Sequence, residues 1–269
     1  MLIVDRRHKW NDEEILKKLE SIKKEIKGFK KAEAINDHTN DDTKRKEKNG
    51  AIVHSPTGNE SSTLLLFDAT GSMQPLWNET REVIKEMVDR ITKVGNVRLK
   101  CVAYRDYCDG DKIFERSRWH TDAEPLFNFI KKIDCDGGGD TPEAVEDVLE
   151  LAYNEKEKVT RIILIGDAPP HSLEKAQHES TKLKKKGIPV FAFRVGDDSD
   201  TKIAFSEIAK LSGGSYADLR HYRDLLDMVS VAIVHDVGGS EGVEKYIKEY
   251  ETSDEVKKFG KSLPPAPKR

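Results

Sequence analysis

Leu64-Leu65-Leu66-Phe67-Asp68-Ala69-Thr70-Gly71-Ser72-Met73 is the stretch of sequence that decides the fold. Its apolar run carries no charge and ends abruptly at Asp68, which is typical of a strand buried on both faces, because a half-exposed strand alternates apolar with polar residues. Asp68 is therefore expected at the carboxyl end of a strand. Ligands of open α/β sheets bind beyond the carboxyl ends of their strands, so the stretch predicts a site at that position.

Asp68, Thr70 and Ser72 occupy alternate positions, and in extended backbone residues two apart point the same way. One carboxylate and two hydroxyls can then converge on one hard cation. Oxygen ligands favour magnesium, manganese or calcium over zinc. The same residue types are also common in turns and helix caps, and Ser72 lies just before Pro75, so this stretch could equally begin a helix. Taken alone, it leaves both interpretations open.

The composition of the chain excludes some function classes. Its 269 residues fit one or two domains with a sizeable core. Charged residues make up 35% of the chain, which predicts solvated extensions outside the core, and hydrophobic residues make up 36%. The net charge is only −3, so the chain lacks the basic bias of proteins that bind nucleic acids or anionic membrane surfaces. Neither is expected as a partner.

The cysteines and the first residues predict a cytoplasmic protein. Cys101, Cys108 and Cys135 are odd in number and well separated, without a Cys-x-x-Cys pair. Residues 1–4 are apolar, but this run is too short for the core of a signal peptide. No segment approaches the roughly 18 apolar residues of a membrane span. We therefore expect reduced thiols, an intracellular location and no membrane partner.

The first 60 residues differ from the rest of the chain. Residues 1–35 are predicted to form an amphipathic helix, because apolar residues recur there at spacings of four and three: Ile15, Leu19, Ile22, Ile26 and Phe29. This face either packs on the body of the protein or supports self-association. Residues 36–60 are predicted to be a flexible linker, since residues 36–50 contain no apolar side chain.

After the linker, strands and helices alternate. Further strands are predicted at 97–104, 113–119, 159–165, 188–195 and 215–219, and helices at 75–94, 123–133, 141–153, 201–211 and 222–235, with one more ending near 186. The short polar turn between the first two of these strands predicts a hairpin. The pattern indicates a doubly wound α/β fold: a mostly parallel central sheet with one antiparallel edge strand and helices on both faces. Residues 238–269 are predicted to be a C-terminal extension with a disordered, proline-rich end.

Two later stretches bear on the predicted site. Asp134-Cys135-Asp136-Gly137-Gly138-Gly139-Asp140-Thr141-Pro142-Glu143-Ala144 has three glycines that allow close backbone approach, and Thr141-Pro142 is expected to open a helix. Asp140 or Thr141 could instead be only the cap of that helix. The apolar run 159–165 also leads into an aspartate, Asp167. Two buried strands that are each followed by aspartate at this end favour a site over a cap.

These three stretches together resemble a known family. Asp68-Ala69-Thr70-Gly71-Ser72, then Gly139-Asp140-Thr141-Pro142-Glu143-Ala144, then Ile165-Gly166-Asp167 is similar to the metal-ion-dependent adhesion site (MIDAS) of von Willebrand factor A (vWA) domains. The resemblance covers residues 61–237 and looks most like the intracellular branch found beside α-kinases and in bacterial multi-gene systems. Two departures are Thr70 in place of the commoner serine, and Gly166-Asp167-Ala168 where many members have Thr-Asp-Gly.

The resemblance implies a site and a role. Thr70, Ser72 and Thr141 would offer hydroxyl oxygens to Mg²⁺ (or Mn²⁺ or Ca²⁺), and Asp68 and Asp167 would offer carboxylates. Neutral hydroxyls donate little charge, so the ion stays electron-poor and favours an anionic oxygen in its open position. The chain is then expected to be a non-catalytic module whose metal is completed by an Asp or Glu of another protein.

Two other interpretations compete with this one. A metal with an open position can activate water, so a phosphohydrolase using the same carboxylates is the alternative. It would need a placed base, for which His171 is the best candidate, although an isolated loop histidine is the more common situation. Thirdly, the site could be empty, with the helix 15–29 making the real contact. Several loop aspartates either form an auxiliary cation site or simply make the region negative: Asp106, Asp109, Asp111 and Asp136.

Overall fold

The computed structural model describes residues 60–78, 86–87, 90–91, 96–139, 141–219 and 222–264. The helix predicted within residues 1–35, nearly all of the predicted linker and Asp140 lie outside the described residues. So do the last five residues of the predicted proline-rich end. In the segment after the first strand, the described residues 74–78, 86–87 and 90–91 are helical, as predicted.

A six-stranded sheet lies at the centre of the described chain, in the order β3-β2-β1-β4-β5-β6. Every neighbouring pair is parallel except β2 and β3, which are antiparallel. This confirms the predicted sheet with one antiparallel edge strand. The strands are β1 (Ser61–Asp68), β2 (Val97–Tyr104), β3 (Phe114–Arg116), β4 (Arg161–Gly166), β5 (Val190–Val195) and β6 (Tyr216–Leu219).

Helices cover both faces of this sheet, as predicted. The side chains of Leu65 and Phe67 point into one apolar cluster, and those of Leu64 and Leu66 into a second cluster on the other face. The uncharged run of β1 thus follows from burial on both sides. The first cluster includes α1 (Ala123–Ile130), α5 (Tyr222–Glu249) and α6 (Asp254–Ser262), and the second includes α2 (Val145–Tyr153), α3 (Leu173–Lys185) and α4 (Ser199–Ser212).

Two predicted elements are shorter in the structure. The strand expected at 113–119 is β3, which ends at Arg116, because the Ser117 hydroxyl rather than a backbone carbonyl accepts the N–H of Cys101. The helix expected from Thr141 begins only at Val145. The backbone just before Val145 makes hydrogen bonds to other loops instead of within a helix: the N–H of Glu143 donates to Pro169 O, and that of Ala144 donates to Arg105 O. The prediction that Thr141-Pro142 opens the helix was therefore wrong.

The last predicted helix is longer than expected. It continues beyond residue 235 to Glu249, with a break at Gly239, whose φ of 60° lies in the left-handed region that glycine tolerates. Val243 of α5 and Phe259 of α6 belong to the same apolar cluster as β1. The division of the chain at residue 237 remains a prediction. Among the described helices, none combines the length and the apolar character that crossing a membrane requires.

Phe259→Ala tests whether α6 is part of the core. Phe259 is buried, and its ring centroid lies 5.3 Å from that of Phe193 and 6.5 Å from that of Phe191. We expect the free energy of unfolding to fall by about 3 kcal/mol in urea titrations, because a large cavity opens in the cluster. Exposed Lys258 on the same helix provides the control, since Lys258→Ala should change stability by less than about 0.5 kcal/mol. Equal stabilities of the two variants would contradict the packing described.

Candidate metal centre

The sheet order brings the two predicted aspartates to one edge. β1 lies between β2 and β4 and runs parallel to both, so the carboxyl ends of all three strands meet. Asp68 is the last residue of β1, and Asp167 directly follows β4. Two residues separated by almost 100 positions in sequence are thereby neighbours, because parallel strands place their carboxyl ends on the same side of the sheet.

A chain of hydrogen bonds joins four of the five predicted ligands. Asp68 Oδ1 accepts from the backbone N–H of Thr70 (2.9 Å) and from Thr70 Oγ1 (2.6 Å). Thr70 Oγ1 lies 3.2 Å from Ser72 Oγ, which donates to Asp167 Oδ1 at 3.1 Å. The extended backbone of Thr70 (φ −78°, ψ 166°) keeps the alternate residues on one side before a single 3₁₀ turn, Gly71–Met73, begins.

These four residues differ in their exposure to solvent. Asp68 and Thr70 are buried, whereas Ser72 is exposed and Asp167 is partly exposed. Within the described part of the chain, Asp68 Oδ2 is buried without a hydrogen-bond partner. Burial, together with the nearby charge of Asp167, raises the pKa of Asp68 to about 7. A buried carboxylate oxygen without a donor is costly, and a hard cation is a ligand that would satisfy it, so these oxygens fit a divalent ion.

Thr141 is the predicted ligand that lies outside this chain of hydrogen bonds. Its side chain is exposed, and no hydrogen bond in the described chain joins it to Asp68, Thr70, Ser72 or Asp167. In the same part of the molecule, no three Asp, Glu, His or Cys side chains come close enough together to hold a metal ion. An ion at this position would therefore depend on the hydroxyl groups as well as on the carboxylates.

Glu143 is a residue of this region that the sequence did not single out. Only 4% of it is exposed, and its Oε2 is buried without a partner among the described residues. A Cβ added to Gly138 would lie 3.0 Å from both Glu143 Oε1 and Thr70 Cβ, so these two side chains are close neighbours. Burial, followed by the charges of nearby aspartates including Asp68, raises the pKa of Glu143 to about 9. Because a helix was predicted to begin at Thr141, Glu143 was expected in its first turn and not at the site.

Comparison with known proteins agrees with the fold and the order of the motifs. The family model for the von Willebrand factor type A domain matches residues 64–228, more than half of the chain. This chain belongs to the von Willebrand factor type A domain family. The match begins in β1 and extends into α5, so it includes all four hydrogen-bonded residues.

Solved structures share the vWA fold at low sequence identity. Proximal thread matrix protein 1 from the mussel byssus aligns with a TM-score of 0.53 at 18% identity, over 68% of this chain and 49% of that one. A structure of the same mussel protein with a zinc-occupied MIDAS motif aligns with a TM-score of 0.51 at 19% identity, over 65% and 46% of the two chains. BatB from Bacteroides thetaiotaomicron aligns with a TM-score of 0.50 at 18% identity, over 70% and 99%.

A curated relative matches a shorter segment. A protein of Acanthamoeba polyphaga mimivirus, named as an ariadne-like RING finger protein, is 34% identical over 115 residues. The match covers 42% of this chain and only 11% of the mimivirus protein. The chain thus spans about a tenth of that relative.

The Gly166 departure from the common vWA motif has a steric reason in this chain. A Cβ at position 166 would lie 2.4 Å from the hydroxyl oxygen of Tyr104 and 3.2 Å from Asp68 Oδ2. The buried Tyr104 hydroxyl, which donates to Ile165 O at 3.3 Å, therefore occupies the space that a larger residue would need. Burial, together with the negative charge of Asp68, raises the pKa of Tyr104. Tyr104 thus stays protonated beside the carboxylates and can donate to the backbone.

The loop aspartates of this vWA domain do not act alike. Asp109 Oδ2 accepts the N–H groups of Asp106 and Gly138, both at 3.1 Å, and a Cβ at Gly137 would lie only 2.0 Å from Asp109 Oδ1. Asp109 therefore holds the glycine-rich loop against the loop after β2. Asp111 and Asp136 are exposed and contribute negative charge at this end of the sheet.

His171 is held in place rather than isolated. Its Nε2 lies 2.6 Å from Asp106 Oδ1, and its ring stacks on that of Tyr107 with centroids 4.5 Å apart. Tyr107 is nearly half exposed, at 46%, and donates from its hydroxyl to Glu146 Oε1. This arrangement orients the imidazole beside the loop that carries Glu143, a contact that sequence spacing alone could not reveal.

Asp68→Asn should make the metal-free protein more stable at alkaline pH. The pKa of Asp68 is higher in the folded state than in the unfolded state. The stability that protonated Asp68 contributes is therefore fully present below about pH 4 and is lost as the pH rises through about 7. Asparagine keeps the acceptor for Thr70 but cannot ionise. We expect the stability gap between Asp68→Asn and the wild type to grow by on the order of 3 kcal/mol from pH 5 to pH 8 in urea titrations with chelator.

Exposed Asp111 provides the matched control for this experiment. Asp111→Asn also removes one carboxylate from this end of the sheet, but from a position in contact with solvent. The difference in free energy of unfolding between Asp111→Asn and the wild type should change far less over this pH range than the difference for Asp68→Asn. A constant gap for Asp68→Asn would contradict a buried carboxylate that is destabilising when charged.

Proposed function

We propose that this vWA domain is a divalent-metal-dependent protein-interaction module. The ion is held by Asp68, Thr70, Ser72, Thr141 and Asp167 and is completed by an Asp or Glu of another protein. The observation that carries this proposal is the hydrogen-bonded chain from Asp68 Oδ1 through Thr70 and exposed Ser72 to Asp167, beside which the other oxygen of Asp68, Oδ2, is buried without a partner among the described residues.

The chemistry of the oxygens favours Mg²⁺, with Mn²⁺ or Ca²⁺ as substitutes. Two carboxylates neutralise a divalent ion, and the hydroxyls of Thr70 and Ser72 add no charge. The ion stays electron-poor enough to attract an anionic oxygen from the solvent side, where Ser72 is exposed. Exposed Thr141 would supply a third hydroxyl oxygen. The zinc-occupied MIDAS of the mussel protein supports metal binding at this position of the fold.

We further propose a non-catalytic, cytoplasmic role in the intracellular branch of the family. Cys101 and Cys108 are free thiols, the first buried and the second exposed, which agrees with a reducing compartment. Nucleic acids and membranes are not proposed as partners. We also propose that the helix predicted within residues 1–35 could support self-association.

The proposal predicts a thermal response to metal that depends on the four joined residues. Millimolar Mg²⁺ or Mn²⁺ should raise the wild-type melting temperature by several degrees, because an ion that binds only the folded state stabilises it. Asp68→Asn and Ser72→Ala should abolish most of this rise, whereas Asp111→Asn should keep it. Since Asp68→Asn is also expected to be the more stable protein without metal, loss of its response cannot be attributed to unfolding.

Partner capture and catalysis separate the competing functions. Capture from the native cells should be lost with chelator and in Asp68→Asn, and should survive deletion of residues before Gly50. Capture that survives chelator but requires those residues would favour the helix as the real contact. Turnover of a phosphoester that is lost in Asp68→Asn would favour a phosphohydrolase. A melting curve unchanged by magnesium, manganese and calcium would overturn the metal-dependent module.

A further inference from the structure

Thr201 lies in the first turn of α4 and contacts the backbone of the predicted ligand Asp167. It is completely buried, and its hydroxyl oxygen lies 3.1 Å from Asp167 O. The same hydroxyl oxygen lies 2.6 Å from Asp198 Oδ1. Both of these neighbours are acceptors, so the single proton of the hydroxyl is shared between them. The Thr201 hydroxyl therefore joins the backbone of Asp167 to the start of α4.

The start of α4 is itself fixed to the sheet. Asp198 caps this helix, because its Oδ1 accepts the backbone N–H of Thr201 at 2.7 Å. The carbonyl oxygen of Asp198 accepts from Arg194 of β5, also at 2.7 Å. The guanidinium of Arg194 is buried and pairs at 2.7 Å with Asp218 of β6. Charge-assisted hydrogen bonds of this kind are strong, so Thr201 is attached to a firm support that spans two strands.

The chain that follows Asp167 has few backbone donors of its own. Pro169 and Pro170 lack a backbone N–H, so hydrogen bonds to this segment rely mainly on its carbonyl oxygens. Asp167 O accepts from Thr201, and Pro169 O accepts the N–H of Glu143 at 2.9 Å. The Thr201 hydroxyl is thus one of a small number of groups that fix the backbone beside the predicted ligand.

We propose that Thr201 is a positioning residue of the candidate metal centre, which holds Asp167 where its carboxylate reaches Ser72. Asp167 Oδ1 accepts from Ser72 Oγ at 3.1 Å, while the carbonyl of the same aspartate is held by Thr201. This proposal rests on the metal-dependent function proposed above and names a residue that acts on the centre through Asp167. Contacts that orient a metal ligand typically change metal affinity ten- to a hundredfold when they are lost.

The test measures the Mn²⁺ affinity of the full-length protein by calorimetry. Thr201→Val keeps the size of the side chain and removes the hydroxyl. We expect the Mn²⁺ affinity to fall by on the order of tenfold, because Asp167 is no longer held in place. Thr201→Ser keeps the hydroxyl and should restore the affinity to within about twofold of the wild type.

Thr160 provides the matched control. It is also buried, and its hydroxyl donates to Asp236 Oδ2 at 2.7 Å. Thr160 precedes β4 whereas Asp167 follows it, so the two residues lie at opposite ends of that strand. Thr160→Val should lower the melting temperature by a few degrees, as Thr201→Val should, but should leave the Mn²⁺ affinity within about twofold of the wild type. A purely structural role of Thr201 would give the two variants the same Mn²⁺ affinity.

Crystals grown with chelator provide a second readout that needs no metal. The contact between Ser72 Oγ and Asp167 Oδ1 should be lost in Thr201→Val and kept in Thr201→Ser and Thr160→Val. Thr201→Ala should behave like Thr201→Val in both experiments. Since alanine places no methyl group against the two acceptor oxygens, this variant decides the matter if Thr201→Val fails to fold.

The outcomes that overturn this role differ from those that overturn the proposed function. Wild-type Mn²⁺ affinity in Thr201→Val and Thr201→Ala overturns it, as does an unchanged contact between Ser72 and Asp167 in their metal-free crystals. A Thr201→Ser variant that binds Mn²⁺ as weakly as Thr201→Val also overturns it. Wild-type protein that binds no Mn²⁺ overturns the proposed function, and the metal-free crystals then still decide whether Thr201 positions Asp167.

Discussion

The buried carboxylate of Asp68 is the constraint on which the arrangement around it depends. One oxygen accepts two hydrogen bonds from Thr70, and the other has no hydrogen-bond partner among the described residues, as is also true of Glu143 Oε2. In a protein interior such groups are costly unless they are paired. A cation bound beside Asp68 would offset this cost.

The surrounding fold is what keeps this carboxylate in place. β1 is buried on both faces, so its last residue cannot turn toward solvent without disrupting two apolar clusters. The backbone of Glu143 and Ala144 is tied by hydrogen bonds to the segments that follow the two flanking strands. Gly166 leaves room for the Tyr104 hydroxyl beside Asp68. Ser72 is exposed and Asp167 is partly exposed.

The sequence predicted the parts of this picture that depend on local pattern. An uncharged apolar run and the alternation of strands with helices were enough for the sheet, its antiparallel edge and the position of Asp68, Thr70, Ser72 and Asp167. Sequence patterns did not predict the features that depend on contacts between residues far apart in the chain. Glu143 was not expected at the site because its backbone N–H bonds to Pro169 and that of Ala144 bonds to Arg105, and no local periodicity reveals these contacts.

The most direct test of the central claim is a crystal of the full-length protein grown with Mn²⁺, examined by anomalous diffraction. The account predicts one strong anomalous peak beside Ser72 Oγ and the carboxylates of Asp68 and Asp167, absent in Asp68→Asn crystals grown in the same way. A structure with no peak at this position, in the presence of millimolar Mn²⁺, would contradict it, as would a peak that persists unchanged in Asp68→Asn.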